Sequence, residues 1–179
     1  MSDPLEHAEA EVLDALGARF LDALRHKDAG QLEDAEDGLL DILRVEPRLA
    51  EPHLELARMY LDTDRIADAE PHAREALTYL EAGGQWIADI PEQTLLALAH
   101  AVLAEVLRRR ADEDDVIFGD ADAFHALVRE SKSHFDRAHE LDPSDEYSSY
   151  HAFFMGAPEG VRAILPGDDA PEPPPPESA

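Results

Sequence analysis

The sequence predicts an all-α fold built from paired helices. Apolar residues recur at three- and four-residue spacings, which is typical of amphipathic helices, and no stretch alternates as a half-buried strand does. Glycine, proline and aspartate interrupt the helical pattern at intervals. Two segments 34 residues apart also resemble each other, which indicates that one helix pair is repeated.

Seven helices are predicted in chain order, over residues 4–28, 32–45, 50–62, 67–81, 92–110, 121–141 and 145–155. The breaks between them fall at short stretches of helix-breaking residues: Ala29-Gly30, Glu46-Pro47, Thr63-Asp64, Gly83-Gly84, Pro91 and Asp142-Pro143-Ser144. Pro71 lies early in the fourth helix. It fits there if Asp68 is the N-cap, because the backbone amides of a helix's first turn have no intrahelical partner.

The repeat is visible residue by residue. Aligned at a spacing of 34, the pairs are Leu32 with Ile66, Ala35 with Ala69, Ile42 with Ala76, and Leu43 with Leu77. The middle unit has Leu56-Ala57 and Tyr60 in its first helix and Ala69, Ala73 and Ala76 in its second. This pattern resembles the tetratricopeptide repeat, a helix-turn-helix unit of 34 residues.

The resemblance implies a right-handed α-α superhelix of about three such helix pairs, covering residues 16–49, 50–83 and 92–145. The third unit is interrupted, since Leu98 to Ser131 spans 33 residues where Leu56 to Ala69 spans 13, so about 20 are inserted. A C-terminal capping helix, Glu146 to Met155, would cover the last apolar face. Residues 1–15 would form a helical extension, 16–157 the repeat domain, and 158–179 a disordered acidic, proline-rich tail.

The first helices carry a second apolar stripe. By the geometry of the resembled family, these positions line a concave groove that holds a partner peptide or helix. The predicted groove residues are Phe20, Leu24, Leu54, Arg58, Leu61, Leu96, His100 and Leu103. The chain could instead fill its own groove, either with Val116-Ile117-Phe118 or with residues 161–165. Val116, Ile117 and Phe118 are also a possible second contact for a partner.

Charge excludes several classes of ligand. Acidic residues number 41 against 15 Lys and Arg, which gives a formal net charge of -26. Nucleic acid and anionic membrane surfaces would be repelled. No apolar run reaches 18 residues, so no membrane insertion is expected. The start of the chain is acidic and lacks the apolar core of a secretory signal, which predicts a cytoplasmic protein.

The sequence offers little for catalysis or cofactors. There is no cysteine, no Gly-rich phosphate loop, no Gly-x-Ser-x-Gly and no His-Glu-x2-His. His134 and His139 are five apart, and His72 and Glu75 three apart, without a repeated ligand set. The acidic stretch from Asp112 has Ile117 where a calcium loop needs glycine. We therefore expect no enzyme, no cofactor and no metal.

These observations predict a protein-protein interaction adaptor or scaffold. Its partner would be another protein, presenting an apolar helix or peptide flanked by basic residues that the acidic rim attracts. Size, acidity, three repeats and a long first helix also resemble the class II chaperones of type III secretion, which is one alternative. A structural subunit of a larger assembly is the other.

Overall fold

A computed structural model of the chain describes residues 4–83 and 90–145 together with Ser148, and it describes side chains from residue 11 onward. These residues form seven helices and no strand, so the predicted all-α class is confirmed. The helices are α1 (Pro4–Asp28), α2 (Leu32–Val45), α3 (Ala50–Asp62), α4 (Ile66–Glu81), α5 (Glu92–Ala111), α6 (Asp114–Ile117) and α7 (Ala121–Leu141).

Neighbouring helices pack as sequential pairs. α1 packs on α2, α3 on α4, and α5 on α7, while α4 packs on α5 and α2 on α3 to join one pair to the next. The short helix α6 lies between α5 and α7 in the chain and contacts both. α1 is one continuous helix, so the predicted extension and the start of the first unit share it.

The turns within the first two pairs are copies of each other at the predicted 34-residue spacing. Gly30 and Asp64 occupy the same place and both have a positive φ, at 77° and 58°. The amide of Gln31 donates to the His26 carbonyl at 2.9 Å, and the amide of Arg65 donates to the Tyr60 carbonyl at 2.7 Å. Both turns thus end the preceding helix with the same six-residue hydrogen bond.

The second helix of each pair buries the same register of positions. Ala35, Ala69 and Ser131 correspond, as do Leu39, Ala73 and Phe135, and then Ile42, Ala76 and Ala138. All nine side chains are at most 1% exposed. The predicted packing residues of the middle unit, Leu56, Ala57, Tyr60, Ala69 and Ala76, are all buried as expected. This common register places the core along the faces where paired helices meet.

Two local predictions are wrong and one lies mostly outside the described residues. α4 begins at Ile66 after Arg65, so Asp68 is not the N-cap and Pro71 lies inside the helix. A four-residue helix, α6, lies at Asp114–Ile117, where no helix was predicted. Of the predicted helix 145–155, Asp145 is described and is not helical, whereas Ser148 is helical and buried. The predicted tail, 158–179, falls outside the described part of the chain.

Across the residues that are described, no helix is both long enough and apolar enough to cross a bilayer.

Candidate functional site

Most of the predicted groove residues are buried in the described fold. Phe20, Leu54, Leu61, His100 and Leu103 are each at most 7% exposed. Leu24 and Leu96 are half-buried, and Arg58 is exposed. A partner on the surface of this fold would therefore reach only three of the eight predicted positions.

His100 belongs to the interface between α5 and α7. Its Nδ1 lies 2.9 Å from Nδ1 of His134 on α7, and the two ring centroids are 5.1 Å apart. One turn further along α5, the Ala104 carbonyl accepts a hydrogen bond from the Ser131 hydroxyl at 2.8 Å. A helix that is apolar on two sides is covered by other elements on both. The side of α5 that carries His100 is covered by α7.

The accessible edge of the predicted groove is occupied by an ion-pair network. Glu55 on α3 accepts from Lys27 of α1 at 2.5 Å and from Arg58 at 2.9 Å. Arg58 therefore pairs with an acidic neighbour on its own helix, and Lys27 connects the first and second units. Lys27 and Glu55 are partly buried and Arg58 is exposed, so the network makes this edge polar.

The α6 tip, defined here as Val116, Ile117 and Phe118, divides into a buried and an exposed part. Val116 is 6% exposed and so anchors the tip, whereas Ile117 is 50% and Phe118 82% exposed. Phe118 is the most exposed of the large apolar side chains in the described residues. Val116 is thus the one apolar side chain of the tip that is buried, and the two larger ones, Ile117 and Phe118, are accessible to solvent.

Charged groups hold the tip in place. The Arg110 guanidinium donates to Asp115 at 2.9 and 3.0 Å and also to Glu113, which fixes the start of α6 to the end of α5. The guanidinium keeps the pKa of the Asp115 carboxyl below its usual range. Gly119 then ends α6 with no room for a side chain, since a Cβ there would lie 2.2 Å from the Asp115 carbonyl oxygen. The tip is thus a defined structure.

A histidine pair joins α3 to α4. Nδ1 of His53 lies 2.8 Å from Nδ1 of His72, and Nε2 of His53 lies 3.0 Å from the Pro47 carbonyl oxygen. A carbonyl only accepts, so His53 carries its proton on Nε2 and accepts at Nδ1 from His72. Burial lowers the pKa of both rings and favours their neutral forms. The Glu75 carboxylate completes the group, with Oε2 3.4 Å from Nε2 of His53.

The pair in the third unit has the same contact but a different setting. Burial, and then the neighbouring His134, lower the pKa of His100 to about 4. Glu130, one turn before His134 on α7, accepts two hydrogen bonds from Arg74, at 2.6 and 3.3 Å. That carboxylate is committed to a guanidinium on α4 and ties the second unit to the third.

Sequence reasoning missed both histidine pairs. The partners are 19 and 34 residues apart, and only the packing of paired helices brings them together. One signal was available, because His72 and His134 each follow the small residue of their second helix, Ala69 and Ser131, by three positions. That shared register places both rings beside the first helix of their unit.

A scan against protein-family models matches no family, and a search of curated proteins returns no match.

Proposed function

We propose that this chain is a helical-repeat adaptor that binds another protein, with the α6 tip as its main contact. The resemblance to tetratricopeptide repeats is part of the proposal. It is supported by the 34-residue copy of the first turn in the second unit and by the shared buried register of the second helices. This kind of scaffold binds partners through its surface, and its function depends on which residues that surface presents.

The exposed Phe118 is the observation that carries the proposal. It is 82% exposed, yet it sits on a tip anchored by Val116, Arg110 and Gly119. Because the segment that carries Phe118 is held in place, a partner that covers the ring orders one side chain and not a loop. Burying one contributes on the order of 2–3 kcal/mol, enough for an anchor residue at an interface.

The charge around the tip defines the partner. Exposed carboxylates precede and follow it, at Asp112, Asp114, Asp120 and Asp122. The chain carries a net charge of -26 as a whole. A complementary partner offers an apolar pocket or strip with Lys and Arg on both sides, and the acidic field speeds its association and repels acidic competitors.

The tip accounts for binding better than the concave groove. Five of the eight groove positions are buried, whereas Ile117 and Phe118 are at least half exposed. Leu24, Arg58 and Leu96 are accessible to some degree and remain candidates for a secondary contact.

The experiment compares two apolar-to-serine variants. Phe118→Ser removes the anchor, and Val45→Ser changes a 54% exposed apolar residue at the end of α2. Both positions are exposed, so both variants should keep the helicity of the parent chain. Each tagged protein is used for affinity purification from source cells at low and high salt, and the partner is then purified and its Kd measured.

We expect one stoichiometric partner that resists high salt, at least a tenfold loss of affinity for Phe118→Ser, and no change for Val45→Ser. Equal affinities for the two variants would remove the tip from the proposal. Recovery of only basic proteins that elute with salt would reject a specific apolar contact, and recovery of no protein would reject the adaptor function.

A further inference from the structure

His53, His72 and Glu75 form a three-residue group between α3 and α4 that the adaptor proposal does not use. One ligand atom from each residue lies within 4.8 Å of the other two, and among the described residues this is the one such group of three. We propose that it is a binding site for a divalent transition-metal ion, with Zn²⁺ as the fitting ion. Two imidazoles and a carboxylate are a ligand set that zinc accepts.

The hydrogen bond to Pro47 prepares His53 as a ligand. Its Nε2 proton is held by the Pro47 carbonyl at 3.0 Å, which leaves the Nδ1 lone pair directed at His72. Metal-bound histidines usually donate their other ring N–H to a carbonyl or carboxylate in this way, because the bond fixes the tautomer and the ring orientation. His53 is 4% exposed, so the surrounding fold also restrains it.

The two rings are close to the separation a metal requires. Zn–N bonds of 2.0–2.1 Å at a tetrahedral angle place two nitrogens roughly 3.3 Å apart. The Nδ1 atoms are 2.8 Å apart, so the rings must separate by about half an ångström. His72 is only half-buried and can make that adjustment. Its Nδ1 proton moves to Nε2 as the metal binds, so the neutral ring releases no net proton.

Glu75 supplies the third ligand and the charge. It follows His72 by three residues on α4, so the two side chains lie on one side of the helix. Its Oε2 lies 3.4 Å from Nε2 of His53, and its side chain is 52% exposed, so the carboxylate must and can turn toward an ion held by the two Nδ1 atoms. Three protein ligands leave a fourth position for water, and the mixed nitrogen and oxygen donors favour Zn²⁺, Ni²⁺ or Cu²⁺ over Mg²⁺.

A bound ion would cross-link the second unit. It would join α3 to α4, and through the Pro47 carbonyl it would restrain the turn that precedes α3. The unfolded chain lacks this arrangement, so binding stabilises the folded state. Occupancy of the site would therefore regulate the rigidity of the second unit.

The other histidine pair provides the matched control. His100 and His134 make the same contact, at 2.9 Å, but Glu130 is bound by Arg74. The tag-free full chain is titrated with Zn²⁺ by calorimetry in excess Mg²⁺, which saturates weak sites on the acidic surface. His72→Gln and Glu75→Gln test the site, and His134→Gln tests the control pair.

We expect one Zn²⁺ per chain, with affinity reduced about 100-fold by His72→Gln, about tenfold by Glu75→Gln, and unchanged by His134→Gln. Thermal unfolding should shift upward by roughly 5–10 °C when free Zn²⁺ is about 100 times its Kd. Circular dichroism checks that each variant is folded.

Three results would overturn the proposal. These are no saturable Zn²⁺ binding in excess Mg²⁺, equal binding by the parent and His72→Gln, or a loss in His134→Gln as large as in His72→Gln. The second would place the ion on other histidines of the chain, and the third would show that the carboxylate is not what distinguishes the pairs.

Discussion

The second and third helix pairs bury the same register with different chemistry. α4 presents Ala69, Ala73 and Ala76 to its partners, whereas α7 presents Ser131, Phe135 and Ala138. The middle position is thus alanine in one unit and phenylalanine in the other. Small residues allow close helix approach, so the third unit must accommodate a large ring where the second does not.

The histidine pairs differ in the same two units. His72 and His134 share a register, but His53 precedes Leu56 by three residues and His100 follows Leu98 by two. The two pairs therefore use different positions of the first helix, so the histidine pair is not part of the repeated pattern. The pair in the second unit has a carboxylate beside it, that of Glu75. The carboxylate near the pair in the third unit, that of Glu130, is bound by Arg74. A repeated scaffold can thus place two rings together and leave their function to a third residue.

The largest expected effect comes from Phe135→Ala. Phe135 is completely buried, so removing its ring leaves a cavity where α7 packs on α5. At the corresponding position α4 has Ala73, and the second unit packs without a ring there. We expect a loss of about 3–5 kcal/mol in the free energy of unfolding, measured by urea denaturation. Phe118→Ala is the control, because the same change at an 82% exposed position should cost less than about 0.5 kcal/mol. Equal losses of unfolding free energy in the two variants would mean that the Phe135 ring does not stabilise the third unit.

Acid should destabilise the third unit through His100. Its pKa is about 4 in the folded chain, below the ordinary value of 6.5, so the unfolded chain binds a proton first as pH falls. The full contribution is present above pH 6.5 and is lost progressively toward pH 4. The loss is on the order of 2–3 kcal/mol over that window, at 1.36 kcal/mol per pKa unit.

The variant His100→Gln isolates this effect. Glutamine keeps a polar group beside His134 but cannot titrate, so its unfolding free energy should fall less steeply between pH 6.5 and 4 than that of the parent. Urea denaturation at several pH values, with a chelator present, gives both curves. Arg137, which also lowers the pKa of His100, and His134 remain in both proteins. Parallel curves would show that His100 does not titrate as its burial implies.

Local patterns predicted the helices well because they depend on neighbours in sequence. Periodicity placed every helix from α1 to α5, and α7, within one residue of its bounds. The 34-residue spacing also anticipated which alanines would be buried. α6 was missed because four residues, two of them aspartate, carry no helical period.

Contacts between helices could not be read in the same way. The two apolar stripes on α5 showed that both sides are covered, but nothing in sequence distinguished α7 from a partner as the cover for His100. The same limitation hid the group of His53, His72 and Glu75, whose members belong to two helices. To find this group one must know how close α3 and α4 lie, and the spacing of residues within one helix gives no information about that distance.

The smallest effect tests the turn that the first two pairs share. Gly30 and Asp64 both have positive φ, which glycine adopts freely and aspartate at some cost. Asp64→Gly should raise the free energy of unfolding by about 0.5 kcal/mol, since the relief of backbone strain is partly offset by the greater entropy of glycine in the unfolded chain. Gly30→Asp should lower the free energy of unfolding by a similar amount, because aspartate is strained at this positive φ. The loss stays small because a Cβ there would meet no atom within 4 Å. Urea denaturation of both variants should therefore give opposite signs, and changes of the same sign would mean that the two turns are not equivalent.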